Sequence, residues 1–166
     1  MKIEIAWQVP ILLAANKKLS VDEYTIPERV TNRPGVYFLS RRYGSKSDPF
    51  YIGETTNLRG RLRDHLKDYR VRDVLRGNQD KGVASGIPKI AKGNKYFHFG
   101  FFIGKRGQDA KKCIEIVQAH MIELALADEI PLLNTQLTKI PTHSIAFTGP
   151  RAARGSFGRS FQVRIK

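Results

Sequence analysis

From Pro34 to Thr55 the chain reads PGVYFLSRRYGSKSDPFYIGET, in which two runs of aromatic and aliphatic residues, GVYFLS and PFYIGE, flank the polar stretch YGSKSDP. The runs suit a pleated surface and the Gly, Ser and Asp between them carry turn chemistry, so the segment predicts an antiparallel hairpin. Each run holds a tyrosine close to a glycine, Tyr37 by Gly35 and Tyr51 by Gly53. A strand glycine lets a ligand or another stretch of backbone come close. Two phenols on such a hairpin can therefore face one place.

Thr55, Thr56 and Asn57 each offer an N-cap to LRGRLRDHLKDYRVRDVL, where Leu58, Leu62, Leu66 and Tyr69 recur at helical spacing. This predicts a single helix leaving the second strand. Gly77 to Lys95 is rich in Gly, Lys, Asn and Pro and reads as an exposed basic loop. KYFHFGFFIG returns to strand composition, and AKKCIEIVQAHMIELALADEI is apolar on nearly every side, as a helix covered by a sheet would be. The expected fold class is α/β of the α+β kind, a small three-stranded antiparallel sheet flanked by helices. Residues 1–33, with the strand-like KIEIAW, form an N-terminal extension packed on a core of residues 34–134. Residues 135–166 form a basic C-terminal extension, whose GPRAARGSFGRSFQVRIK has five basic residues and no acidic one.

A length of 166 residues suits one domain with its own core. No apolar run is long enough to cross a bilayer, and PILLAA is too short and too poorly flanked for a secretory signal, so a cytoplasmic protein is expected. The one cysteine, Cys113, excludes an internal disulfide and a cysteine-built zinc site; within its apolar helix it reads as a buried structural thiol rather than a nucleophile. The 29 Lys and Arg against 15 Asp and Glu leave a net charge of +14. Such an excess points to a polyanionic partner, nucleic acid first. Charge names a partner class and no activity.

Taken in order, GVY, YIG, NLRGRL with a histidine shortly after, and a glutamate on an apolar helix that ends in PLLN resemble the GIY-YIG nuclease family over about residues 34–134. The resemblance implies a GIY-YIG-like fold and hydrolysis of phosphodiester bonds in DNA with Mg²⁺ or Mn²⁺. It implies a free-standing endonuclease, restriction-type ahead of a homing or repair enzyme. Among the residues it implies Tyr37 as general base, Tyr51 positioning it or the attacking water, and Arg61 as phosphate clamp. His65 would be a proton donor, a phosphate ligand or an alternative base, and Glu123 would hold the metal.

These residue types fit the reaction, which needs an activated water, compensation of phosphoryl charge and help for the leaving oxygen. A phenol ionises at a pH of about 10, so a tyrosine base requires positive charge beside it. Arg61 and His65 fall at the edge of the Leu58, Leu62 and Leu66 face, whereas Arg59, Arg63 and Lys67 point away, toward solvent or the DNA backbone. A forked guanidinium suits a phosphate, although a salt bridge or a snorkelling side chain is the plainer use of Arg61. Glu123 lies among Ile116, Ala119, Leu126 and Ala127, which supply no charge to offset its own; magnesium would, and an ion pair with a surface lysine is the alternative. Glu115 or Glu129 would replace it in another register. Asn134 would hold local backbone or a phosphate. His98 and His120, each among apolar residues, read as structural histidines. The competing class is a nucleic-acid-binding module without hydrolysis. With no zinc finger or helix-turn-helix pattern, specificity would come from the Gly77 to Lys95 loop, the termini or a homodimer.

Overall fold

The computed structural model describes residues 2–14, 25–76, 92–104, 109–134, 142–146 and 160–164. The hairpin is present as β3 (Gly35–Tyr43) and β4 (Lys46–Thr55), paired from Gly35↔Thr55 to Tyr43↔Lys46. It turns at Gly44, whose φ of 67° lies in the left-handed region that glycine enters without a steric cost. On the other side of β3, β5 (Asn94–Phe102) pairs antiparallel, with Tyr37 opposite Phe99 and Phe38 opposite His98.

Among the described residues the sheet has five strands rather than the expected three. β1 (Ile5–Trp7) and β2 (Ile11–Ala14), from the N-terminal extension, both pair antiparallel with the remaining edge of β5, through Ile5↔Phe102 and Ile11↔Phe97. β1 lies within the strand-like KIEIAW, whereas β2, of four residues, is too short for alternation to show in the sequence. Their pairing is set by contact with β5.

Two helices also replace the one expected after β4. α1 (Leu58–Lys67) begins at Asn57, whose Oδ1 accepts the Gly60 N–H at 2.8 Å, and ends at Asp68, where the backbone turns extended. The Asp68 carboxylate accepts the Arg70 N–H at 2.9 Å and so starts α2 (Tyr69–Arg76). Tyr69 carries the helical spacing of the sequence past this junction but is 71% exposed, and the buried positions jump five residues from Leu66 to Val71. α3 (Ala110–Ala127) starts at Asp109, whose carboxylate accepts the N–H groups of Lys111 and Lys112.

The helices lie on opposite faces of the sheet. Tyr37, Leu39, Phe97 and Phe99 form a core with Leu58, Leu62 and Leu66 of α1 and Val71, Val74 and Leu75 of α2. On the other face Val36 and Phe102 pack with Cys113 and Ile114 of α3, and Cys113 is buried as its apolar setting suggested. Residues 1–134 form one compact unit and residues 135–166 a second, in which β6 (Thr142–Ala146) and β7 (Ser160–Arg164) pair antiparallel. Most of the expected basic loop, residues 77–91, lies outside the described residues, and Asn94 and Lys95 belong to β5. Among the described residues no helix is long and apolar enough to cross a membrane.

Candidate active site

The hairpin register accounts for the paired tyrosines and glycines. Tyr37 stands directly opposite Gly53, and a Cβ on Gly53 would run into the Tyr37 phenol. The glycine of YIG thus clears the space that the tyrosine of GVY fills. Tyr51, opposite Leu39, is on the same face, its ring 6.2 Å from that of Tyr37 and 16° from parallel. α1 brings the third ring: His65 Nε2 and Tyr37 Oη share a hydrogen bond of 2.7 Å, and the His65 ring meets Tyr51 edge-on at 4.8 Å.

Burial and charge then set the protonation of this cluster. Tyr37 is 1% exposed, and burial, followed by the Tyr51 phenol, pushes its ionisation well above the ordinary phenol range, against an opposing pull from Arg61. Burial, then the Arg61 charge, lowers His65 to about 4, so its imidazole is neutral at pH 7. Arg61, exposed on α1, acts on Tyr37, His65 and Glu54 alike. The guanidinium is thus the charge common to the cluster.

Glu54 is the residue the sequence reading missed. It follows YIG directly and pairs with Val36, which places it on the α3 side of the edge strand β4. Burial and then the Glu115 carboxylate raise its pKa, while Arg61 and Lys111 pull it down. Glu54 and Glu115 therefore share one electrostatic neighbourhood round the edge of the sheet. The available signal was the period of two, which turns Glu54 to the opposite face from Tyr51.

Two expectations need correction: the apolar setting of Glu123 and the outward facing of Arg59. Glu123 is exposed on α3. At about 100° per residue, Glu115 comes into line with buried Ile122, and Glu123 turns roughly a quarter-circle away. Its apolar neighbour Ile116 is itself 45% exposed, so the apolar surroundings read from the sequence are surface. Arg59, expected to point away toward solvent or a DNA backbone, turns inward instead: its guanidinium donates to the carbonyls of Ile26, Pro27 and Val30 at 3.0–3.1 Å and fastens the turn before β3. Asn134 spends its amide on β4, accepting the Ile52 N–H at 2.9 Å and donating to the Ile52 carbonyl at 2.6 Å, so of its two expected roles it takes the backbone one. His120 is exposed.

Gln118 adds a donor to the same Ile52 carbonyl at 3.4 Å. Arg63 and Lys67 are exposed on α1. His98 is held by Ser40 Oγ at 2.9 Å and stacks on Phe38. Among the described residues no three His, Cys, Asp or Glu side chains are grouped to hold a metal ion. The chain matches no family model, no curated protein and no solved structure.

Proposed function

We propose that the protein is a metal-dependent endonuclease of the GIY-YIG type, which hydrolyses phosphodiester bonds in DNA. The observation that carries this reading is the 2.7 Å contact between Tyr37 Oη and His65 Nε2 within reach of the Arg61 charge, with Tyr51 alongside. A simple binding surface has no use for a buried phenol hydrogen-bonded to a neutral imidazole.

Ionised outright, Tyr37 would leave a phenolate in a site that burial makes hostile to charge. A relay avoids that state. The phenol takes a proton from the attacking water as its own proton passes to His65 Nε2, in the tautomer that carries its hydrogen on Nδ1. In the free protein the Arg61 charge opposes protonation of His65. A phosphodiester bound to Arg61 offsets that charge and raises the basicity of the imidazole, so substrate itself favours the transfer. The water oxygen bonds to phosphorus, the bond to the 3′ oxygen breaks with its electron pair going to that oxygen, a solvent water protonates it, and His65 gives its proton back through Tyr37 to solvent; the products carry a 5′-phosphate and a 3′-hydroxyl.

The donors near this site suit Mg²⁺ or Mn²⁺: Glu54 and Glu115 are oxygen ligands, and their mutual repulsion is what a divalent cation relieves. Bound between them and the substrate, the cation would compensate charge on the phosphoryl oxygens and on the departing 3′ oxygen. This moves the proposed ligand role from Glu123 to Glu54 and Glu115.

One observation favours the second reading, binding of nucleic acid without hydrolysis: Tyr37 is 1% exposed, so water reaches it only past its neighbours. Incubation of the full chain with plasmid DNA and Mg²⁺ or Mn²⁺ separates the two. Cleavage is expected, with Tyr37→Phe and Arg61→Ala slowed at least about 100-fold. Glu54→Gln and Glu115→Gln should be impaired and Glu123→Gln active. Intact plasmid with both metals, under conditions where the DNA is bound, would establish the binder. Sequencing the cut ends of a randomised pool reads the biological type, a fixed symmetric site being the mark of a homodimeric restriction enzyme.

A further inference from the structure

On the face of the sheet away from the phenol cluster, four rings form a row. Phe38 and His98 are cross-strand neighbours whose rings stack at 4.1 Å, 10° from parallel. Trp7, paired with Gly100 and 48% exposed, meets Phe38 edge-on at 5.7 Å. Tyr96, two residues before His98 on β5, lies 6.2 Å from it. Phe38, Tyr96 and His98 are half-buried, and the core that α3 builds on this face lies at its Val36 and Phe102 end. Beyond Tyr96 the row opens into a cleft of about 340 Å³ lined by Arg42, Tyr43 and Asn94 together with Tyr96 itself.

The chemistry of this face points to one occupant. An exposed ring such as Trp7, backed by the stacked Phe38 and His98, stacks on unpaired bases irrespective of sequence, and a guanidinium beside the row suits the phosphates that join those bases. Burial lowers His98 to about 4, so at neutral pH the row carries no charge of its own at that ring. Ser40, Arg42, Ser47 and Asn94, the described strand positions between the rings and the cleft on this face, include no acid, and the whole chain carries +14. A duplex keeps its bases stacked on one another and has nothing to give the rings. We infer that this face binds an unpaired strand of nucleic acid, with bases on the row from Trp7 to Tyr96 and backbone phosphate at Arg42. The inference concerns binding and does not depend on hydrolysis.

Trp7 is the chain's only tryptophan, so it reports on the face directly. The full chain, in EDTA to prevent cleavage, is titrated with a fluorescently labelled mixed-sequence single strand and with the duplex of the same sequence. Binding is read by anisotropy and stacking by Trp7 emission. Saturable quenching by the single strand and not by the duplex is expected. Tyr96→Ala and Arg42→Ala, shown folded by circular dichroism, should each bind the single strand about ten-fold more weakly and the duplex as before. Single-strand binding that leaves Trp7 emission unchanged overturns the inference, as do Tyr96→Ala and Arg42→Ala variants that bind like the wild type. Self-association of the wild type that Tyr96→Ala abolishes overturns it too, since the occupant is then a second copy. Loss of quenching with plasmid cleavage intact would leave the nuclease reading standing, and the reverse result would leave this one.

Discussion

His65 links the candidate chemistry to stability. Its folded pKa of about 4 lies below the ordinary 6.5, so above about pH 6.5 neither the folded nor the unfolded form binds the proton. As the pH falls below that, the unfolded chain takes up a proton the folded one refuses, and stability drains away until about pH 4. For a side chain 6% exposed the full loss is on the order of 3 kcal/mol. His98 is shifted in the same direction by burial and adds to the same slope. Urea midpoints of the wild type should fall steeply between pH 6.5 and pH 4, and those of His65→Asn less so; parallel curves would show that His65 is already protonated in the fold. Tyr37, Tyr51, Arg61 and His65 were legible because the motif preserves their order. Glu54 was not, because its meaning depends on Glu115, which is distant in sequence and brought near by α3.

Among the elements, the hairpin stands on the cross-strand pair of Tyr37 and Gly53. Gly53→Ala adds one methyl group in the space of the Tyr37 phenol, and overpacking of that kind costs about 2 kcal/mol. A fall in thermal midpoint is expected, together with loss of cleavage, because the ring that turns away leaves His65. Cleavage at wild-type rate by a folded Gly53→Ala protein would show that the phenol has no part in the chemistry. The hairpin could be read from the sequence since its pairing is local and its turn residues are contiguous. The division at Asp68 could not, because Tyr69 continues the helical spacing past it in the sequence, although its ring is exposed, while one side-chain cap decides the break. The edge strand is similar: Asn134 and Gln118 satisfy Ile52 from 82 and 66 residues away.

Across the whole molecule, +14 predicts affinity for DNA that falls with salt, the slope reporting how many phosphates are neutralised. The two neighbouring arginines of α1 should separate cleanly. Arg63→Ala, an exposed site, is expected to reduce the salt slope by about one and leave stability unchanged. Arg59→Ala is expected to leave the slope alone and to cost about 2 kcal/mol in urea denaturation, since it strands the carbonyls of Ile26, Pro27 and Val30. A salt slope that drops with Arg59→Ala would return that side chain to the DNA.

What the amino-acid order by itself determined was local: the hairpin, the helix that follows it, the apolar helix carrying Cys113 and the excess of positive charge. Each of these depends on neighbours within one or two turns of chain. Tertiary packing decided which side chains meet. It laid two short N-terminal strands against β5, gave Arg59 three carbonyls, turned Glu123 to solvent and put Glu115 within electrostatic range of Glu54. The reason is geometric: the facing of a residue on a helix or strand follows from periodicity, but what it faces depends on where a distant element comes to rest.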